Sequence, residues 1–394
     1  MGIALVVTAL GCAIVAVALL DVLITALHPA AESPVSARFH RAVWTVVRAL
    51  SHLVAPPVRS AVLNWTLPLS VGGLVLSWLL AVLVGFALLY LPGMSGLSPH
   101  GGGSAFRAPG LTLGWGDAFY FSGVCLTSLG FGDIVPLTGL LRAAAVGEGL
   151  TGLLVVGVAI TYVLAVFPVL PLASVLALTI NEEADGQVDA IPWVQRYLAV
   201  DAVEPLAQRC REVATQLMAL SEAHTTHPVL FYAHPVRVER SFVRVLIVTQ
   251  RLVALVRYGV RRTAYPSVVH DPRVIGLEES LIAVLRLLGS TLHVQVHAPP
   301  PGMEDRLRAE HRALLRALAD AGLRGETSAD DTVADEAACA GYVRFRLVTD
   351  PYIAAYAANS GYTPADLWGN HPPLRGASAP IPVVDEDPHG ADVR

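Results

Sequence analysis

Residues 3–27 form an unbroken apolar run of 25 positions with one charge, Asp21. Coiled as a helix rising about 1.5 Å per residue, such a run crosses a hydrocarbon layer of roughly 30 Å. No basic segment precedes it, so it is expected to be a retained span and not a cleaved leader. A second run, 67–91, is bracketed by Trp65 and Tyr90, aromatics suited to the membrane interface. The third, 140–180, has 41 residues, more than a crossing needs. It is expected to project beyond the bilayer, interrupted by Pro168 and Pro171. Between the second and third runs, residues 115–127 are apolar and aromatic but only 13 in number. That is too short to span and suits a re-entrant helix. From 181 onward the pattern changes. Apolar positions recur at helical spacing in 193–222, 236–262, 273–297, 303–322 and 333–358, with Pro- and Gly-containing turns between them. This predicts an all-helical domain. No internal repeat is visible.

Composition splits at the same place. Residues 1–180 hold six Arg and five acids; the remainder holds 21 Arg and 27 acids. Overall, 54% of the chain is hydrophobic and 15% charged, against about 25% charged in an average soluble domain. An ordinary soluble enzyme is thereby a poor reading. The net charge of −5 reflects an even balance of signs and gives no footprint for nucleic acid. Lys is absent, and with abundant Ala, Val, Leu and Gly this fits the codon bias of a GC-rich bacterium. Cys12, Cys125, Cys210 and Cys339 form no CxxC or zinc spacing and are expected to be free thiols.

Residues 28–63 carry Arg38, Arg41, Arg48 and Arg59 against Glu32 alone, with Phe39 and Trp44 interleaved. This reads as a helix in the headgroup layer, ended by Pro56-Pro57. The arginine excess places that loop in the cytoplasm, with the N-terminus and residues 92–113 outside and the C-terminal domain inside. Residues 92–113, with Gly101-Gly102-Gly103, read as an extracellular loop with little structure of its own. The expected organisation is a transmembrane helix (1–30), an interfacial segment (31–64), a unit of two spans with the re-entrant stretch between them (65–180), a helical cytoplasmic domain (181–371) and a loosely ordered Pro- and Asp-rich tail (372–394). Asp21 reads either as a functional acid inside the membrane or as an interface residue that caps nothing.

The chemistry sits in Thr127-Ser128-Leu129-Gly130-Phe131-Gly132-Asp133, directly after the re-entrant helix. Non-helical backbone at membrane depth survives only where protein buries it or water lines it. Gly130 and Gly132 allow positive φ on alternate residues, which turns successive carbonyls to one side. Rings of such carbonyls replace the hydration shell of a monovalent cation.

This segment resembles the pore loop of potassium channels, whose filter reads Thr-Val-Gly-Tyr-Gly-Asp. It is most similar to two-pore-domain and related bacterial channels, where Phe often stands for Tyr. The likeness covers about residues 65–170. It implies that the carbonyls of Ser128, Leu129, Gly130 and Phe131, followed by Gly132, line the ion path, with the Ser128 hydroxyl at the innermost site. Three departures stand out. Ser128 replaces the usual Thr and loses a methyl that stiffens the rotamer. Leu129 replaces Val or Ile. Phe131 lacks the Tyr hydroxyl. Tyr120, Thr127, Asp133 and Glu148 are implied filter supports. Tyr120 would brace Asp133; otherwise Asp133 only faces water. Glu148 either supports the filter or is a satisfied interface residue. Gly152 stands where relatives carry a hinge glycine. Pro168 and Pro171 are expected to bend the third span, with a gate among Leu172, Val175 and Leu176 or, alternatively, a static kink with gating at the filter. Asn181, Glu182, Glu183 and Asp185 would form an acidic ring at the inner mouth or a solvated linker.

Other candidates are weaker. His224, His227 and His234 surround a turn, and His293 and His297 have i, i+4 spacing; both sets read better as ordinary histidines than as metal ligands. Neither a GxGxxG nucleotide site nor a regular arginine series is present. The expectation is therefore an all-α membrane protein: a tetrameric potassium-channel pore with an extra N-terminal transmembrane helix and a helical cytoplasmic domain. One filter per chain implies a homotetramer. The expected cargo is potassium, with no other metal, no catalytic residue and no enzymatic activity. The rivals are a weakly selective cation channel, a non-conducting membrane-anchored signalling or scaffold protein, and a potassium-transporter subunit, which would need four filter repeats.

Overall fold

The computed structural model describes residues 2–27, 33–95, 104–110, 112–291, 300–324, 329–363 and 366–367. His293, His297, Gly101-Gly102-Gly103 and the tail from 372 lie outside them. The protein is an all-α membrane protein. Three helical stretches are long and apolar enough to cross a bilayer: Gly2–Ala26, Val58–Met94 and Gly139–Glu183. The chain forms two compact units, Met1–Ala49 with Trp65–Phe167, and Leu50–Asn64 with Pro168–Arg394.

In the first unit, α1 (Gly2–Leu27) packs along α4 (Thr66–Met94), with α2 (Pro34–Ser51) between them in sequence. Gly11 and Gly85 let the α1 and α4 backbones touch: a Cβ on Gly11 would lie 2.5 Å from the Gly85 carbonyl. Small residues allow such close crossings in membranes, where packing replaces the hydrophobic drive. Asp21 is buried at this junction. It accepts from Trp78 Nε1 of α4 at 2.6 Å, and from the Ser36 amide at 3.2 Å and the Ser36 hydroxyl at 2.9 Å. Ser36 lies in the first turn of α2, where amides lack helical partners. Asp21 therefore caps α2 from another helix and ties three helices together, which overturns the reading that it caps nothing.

The expected interfacial segment is two helices. α2 ends at Ser51, and Pro56-Pro57 opens α3 (Pro56–Asn64) instead of ending a helix; proline suits a helix start because its missing amide has no partner there anyway. Along α2 three faces separate. Ser36, His40, Trp44 and Val47 are buried, Val35, Val46 and Leu50 are exposed and apolar, and Arg38 and Arg41 are exposed and basic.

The first unit is completed by β1 (Phe106–Arg107), α5 (Trp115–Leu126), β2 (Val135–Pro136) and α6 (Gly139–Val166). Buried positions Glu148, Gly152, Val155, Ala159, Tyr162 and Val166 make one stripe along α6.

In the second unit, α7 (Val169–Glu183) starts directly after Pro168, where the helical run expected to be interrupted is broken into α6 and α7. The pore domain expected to reach 180 thus closes at Phe167 as a compact body, and Leu176, Ala177 and Ile180 are buried in the core of the second unit. Leu176 consequently cannot line a pore, a correction to the expected gate; Leu172 and Val175 occupy the exposed face of α7. The acidic ring is also reduced. Glu183 pairs with Arg209 at 2.8 Å and Asn181 accepts from Arg244 at 3.1 Å, leaving Glu182 and Asp185 exposed.

The first predicted cytoplasmic helix is two helices, α8 (Ile191–Leu198) and α9 (Val203–Thr226), separated where Asp201 takes φ +54°. α10 (Phe242–Tyr258) is the central helix, buried along nearly its whole length, and Ser241 caps it by accepting from the Arg244 amide. A short α11 (Pro266–Val269) leads to α12 (Pro272–Thr291), and α13 (Met303–Asp320) and α14 (Ala329–Asn359) close the bundle. The four cysteines are free.

Three histidines of this unit serve its packing. His224 stacks on Phe242 with ring centroids 4.7 Å apart, and His234 stacks on Tyr362 at 4.3 Å. His311 lies against Tyr342. Burial depresses all three, His224 to about 4. The unfolded chain therefore takes up protons first as pH falls. The stability these rings support is whole above their ordinary pKa of roughly 6.5 and drains as pH falls toward 4, with His224 alone contributing about 3 kcal/mol. Amide protection factors along α10, measured by hydrogen exchange on the solubilised protein, are expected to fall between pH 6.5 and pH 4.5. Protection factors that stay constant across that range would refute this.

Candidate functional site

The site is built on α5. Asp117, in the first turn, accepts from the Gly114 amide at 2.8 Å and places an acid where the helix dipole favours it. Phe121 anchors the helix. It meets Tyr90 edge-on at 5.0 Å and Phe106 at 5.3 Å, aromatic geometry that adds about 1 kcal/mol per pair beyond area burial. Tyr90 was expected at the membrane interface; it is fully buried here. Phe106 is buried as well and belongs to β1, whose residues pair with β2 in register Phe106↔Pro136 and Arg107↔Val135. The described part of the 92–113 loop thus has structure of its own. It binds the chain that leaves the Gly-x-Gly segment, reinforced by Leu137 donating to the Ala105 carbonyl at 3.0 Å.

Glu148 of α6 lies behind this helix and is fully buried. It accepts from Tyr90 Oη at 2.8 Å and from Ser122 Oγ, so one carboxyl joins α4, α5 and α6. Gly152, one turn on, faces the end of α5. A Cβ there would stand 2.2 Å from the Leu126 carbonyl oxygen. The glycine is where α6 meets the backbone at the end of α5, a packing reason for its presence that spacing alone did not reveal.

Past Leu126 the helix stops. Thr127 Oγ1 donates to the Gly123 carbonyl at 2.6 Å, and the Ser128 and Leu129 amides donate to Cys125 and Val124. Positive φ then falls on every second residue: Ser128 at +57°, Gly130 at +61° and Gly132 at +77°. The two glycines were legible as such. Ser128 was not, because nothing in a serine announces the left-handed region, which costs a non-glycine residue about 1–2 kcal/mol. The alternation turns successive peptide units in a repeating sense through residues 128–132.

Asp133 closes the segment. Tyr120 Oη donates to its Oδ2 at 2.7 Å. That bond holds the carboxyl below its ordinary range, so it carries its charge at neutral pH. Asp133 is also solvent-exposed, so the bracing and the facing of water coexist. Residues 127–133 are all exposed in the single chain. Leu129 and Phe131, although apolar, are 62% and 64% exposed. On α6, Leu140, Val146, Leu150, Leu153, Ile160 and Leu164 are exposed too.

Among the described residues no cluster of three or more His, Cys, Asp or Glu is placed to hold a metal ion, and His224 and His234 are each committed to an aromatic ring. Pro168 immediately precedes α7, and Pro171 lies within its first turn.

Residues 74–168 match the ion-channel family. The uncharacterized membrane protein YdjJ of Bacillus subtilis (strain 168) is 22% identical over 193 residues, covering 47% of this chain and 53% of that protein. The chain thus spans about half the length of the curated relative it matches. No solved structure matches. Residues 74–168 are thus similar to the ion-channel family, and they lie in a membrane protein with three candidate spans and the short helix α5 set between the second and third.

Proposed function

We propose that the chain is one subunit of a homotetrameric, potassium-selective channel, with the N-terminus outside and the helical unit in the cytoplasm. The observation that carries this reading is the alternation of left-handed backbone at Ser128, Gly130 and Gly132, displayed on an exposed segment directly after a short helix between two spans. Exposed polar backbone at membrane depth needs other protein around it; three further copies about a fourfold axis supply that cover and bring four sets of carbonyls to one line. The exposed leucines of α6 and the exposed Leu129 and Phe131 fit contact with neighbouring copies. In this reading Ser128, Leu129, Gly130, Phe131 and Gly132 coordinate potassium. Tyr120 and Asp133 brace the outer end, and Thr127 and Glu148 fix the inner end and the wall. The bend at Pro168 and Pro171 transmits the state of the helical unit to the pore, with Leu172 and Val175 as the closing apolar residues.

Purified protein in liposomes is expected to pass potassium well ahead of sodium and to be blocked by barium, a divalent ion close to potassium in size. Equal permeability to sodium and potassium under bi-ionic conditions would replace this reading with a weakly selective cation channel, consistent with Ser128 and Leu129 at two filter positions. No flux of either ion would favour a non-conducting membrane anchor.

A further inference from the structure

Arg244 lies in the first turn of α10, next to its cap Ser241, and only 5% of it is exposed. Both facts count against a cation. Burying an ion is costly without a counter-charge that is paired and hydrogen-bonded, and the amino end of a helix carries partial positive charge. Among the described residues the guanidinium is nevertheless held by neutral oxygens from three segments. Nη1 donates to the Leu367 carbonyl at 3.1 Å. Nη2 donates to Asn181 Oδ1 at 3.1 Å and to the Gly186 carbonyl at 2.8 Å. Glu239, whose charge reaches Arg244, pairs with Arg237 at 3.5 Å.

The end of α7 offsets this cost. Asn181 belongs to the last turn of α7. Gly186, at φ +73°, turns the chain back so that its amide donates to the Asn181 carbonyl at 2.8 Å. This left-handed cap closes the helix and presents its partial negative charge to the cation. Arg209 of α9 holds the same turn through Glu183. α7 follows α6 across Phe167 and Pro168, so whatever moves α10 pulls on the helix that continues α6. We propose, on the channel reading above, that Arg244 is the positioning residue through which the helical unit sets the open fraction of the pore. Its planar fork of donors reaches all three acceptors at once, which the single ammonium of a lysine does not.

Removing Arg244 would strand three oxygens and endanger the fold, so the test alters Asn181, which is half-buried at one edge of the contact. Asn181→Asp puts a carboxylate against the guanidinium and tightens the grip; Asn181→Leu removes the acceptor and loosens it. In single-channel recordings of the full-length protein, the two variants should shift open probability in opposite directions, each by about tenfold, with unitary conductance unchanged. Arg324→Gln is the control. It breaks another buried guanidinium tie of the same unit, to the Gly259 carbonyl and Asp335, and should lower thermal stability while leaving open probability unchanged. Open probability that is constant, or that moves the same way in both Asn181 variants, would overturn the proposal. So would an equal shift in Arg324→Gln, which would reduce Arg244 to a stabilising contact. If the unaltered protein passes no ion, the channel reading fails instead, and hydrogen exchange judges the grip: protection of the α7 amides should rise about tenfold in Asn181→Asp and fall about tenfold in Asn181→Leu, and unchanged protection would refute it.

Discussion

Gly152→Ala is expected to yield a chain that reaches the membrane but does not assemble a working pore. The added Cβ would stand 2.2 Å from the Leu126 carbonyl oxygen and 3.2 Å from its carbon. These are backbone atoms at the end of α5, so no rotamer change relieves the clash. Trimming the side chain with Leu126→Ala cannot rescue it. Either α6 withdraws or the end of α5 moves, and α5 holds the first residue of the left-handed alternation two positions on. Overpacking of this kind costs about 1–3 kcal/mol per site, repeated in every subunit of a proposed tetramer. The measurement is oligomeric mass in mild detergent together with liposome flux. A hinge glycine predicts another outcome: the assembly forms normally and only opening is impaired. Intact oligomers with reduced open probability would assign Gly152 to hinging and not to packing.

Gly130→Ala is expected to abolish flux without unfolding the subunit. Nothing lies within 4 Å of the position a Cβ would take, so the single chain has room for it. The penalty is conformational. Gly130 sits at φ +61°, where an L-residue is disfavoured by about 1–2 kcal/mol, and four copies raise this to about 4–8 kcal/mol against the ordered filter. Relaxing to the right-handed region would swing the neighbouring carbonyls out of line. Gly110, at φ +79° and likewise open, is the control. Gly110→Ala carries the same local penalty outside the segment and should leave flux nearly intact. Wild-type flux in Gly130→Ala would sink the assignment of this segment as the ion path.

Much of the fold was legible because membranes impose a coarse code. Length and apolarity alone placed the three candidate spans, and a 13-residue apolar stretch followed by Gly-x-Gly marked the short helix α5 and its end. What stayed hidden depends on who meets whom. Tyr90 looks like an interfacial aromatic in sequence, yet it donates to a carboxyl 58 positions away. Gly152 is one of many helix glycines until Leu126 is brought against it. Leu176 looks the same as Leu172 in an apolar run, and only the packing of α7 separates a core residue from an exposed one. The break between α8 and α9 carries no Pro or Gly, so periodicity ran straight through it. Phe106 sat in a stretch that composition marked as loop, and its burial comes from two aromatics contributed by other helices.

The Asp21 junction bears on how the chain enters the bilayer. As α1 emerges from synthesis, its carboxylate has none of its donors: Ser36 belongs to the next helix and Trp78 to the one after. A lone aspartate near the centre of an inserting helix costs about 2.5–3.5 kcal/mol on insertion scales, less toward the end where Asp21 lies. The apolar residues of α1 outweigh that cost, but the last donor, on Trp78, is translated about fifty residues after α1 ends, so the Asp21 junction closes only once α2 and α4 are in place.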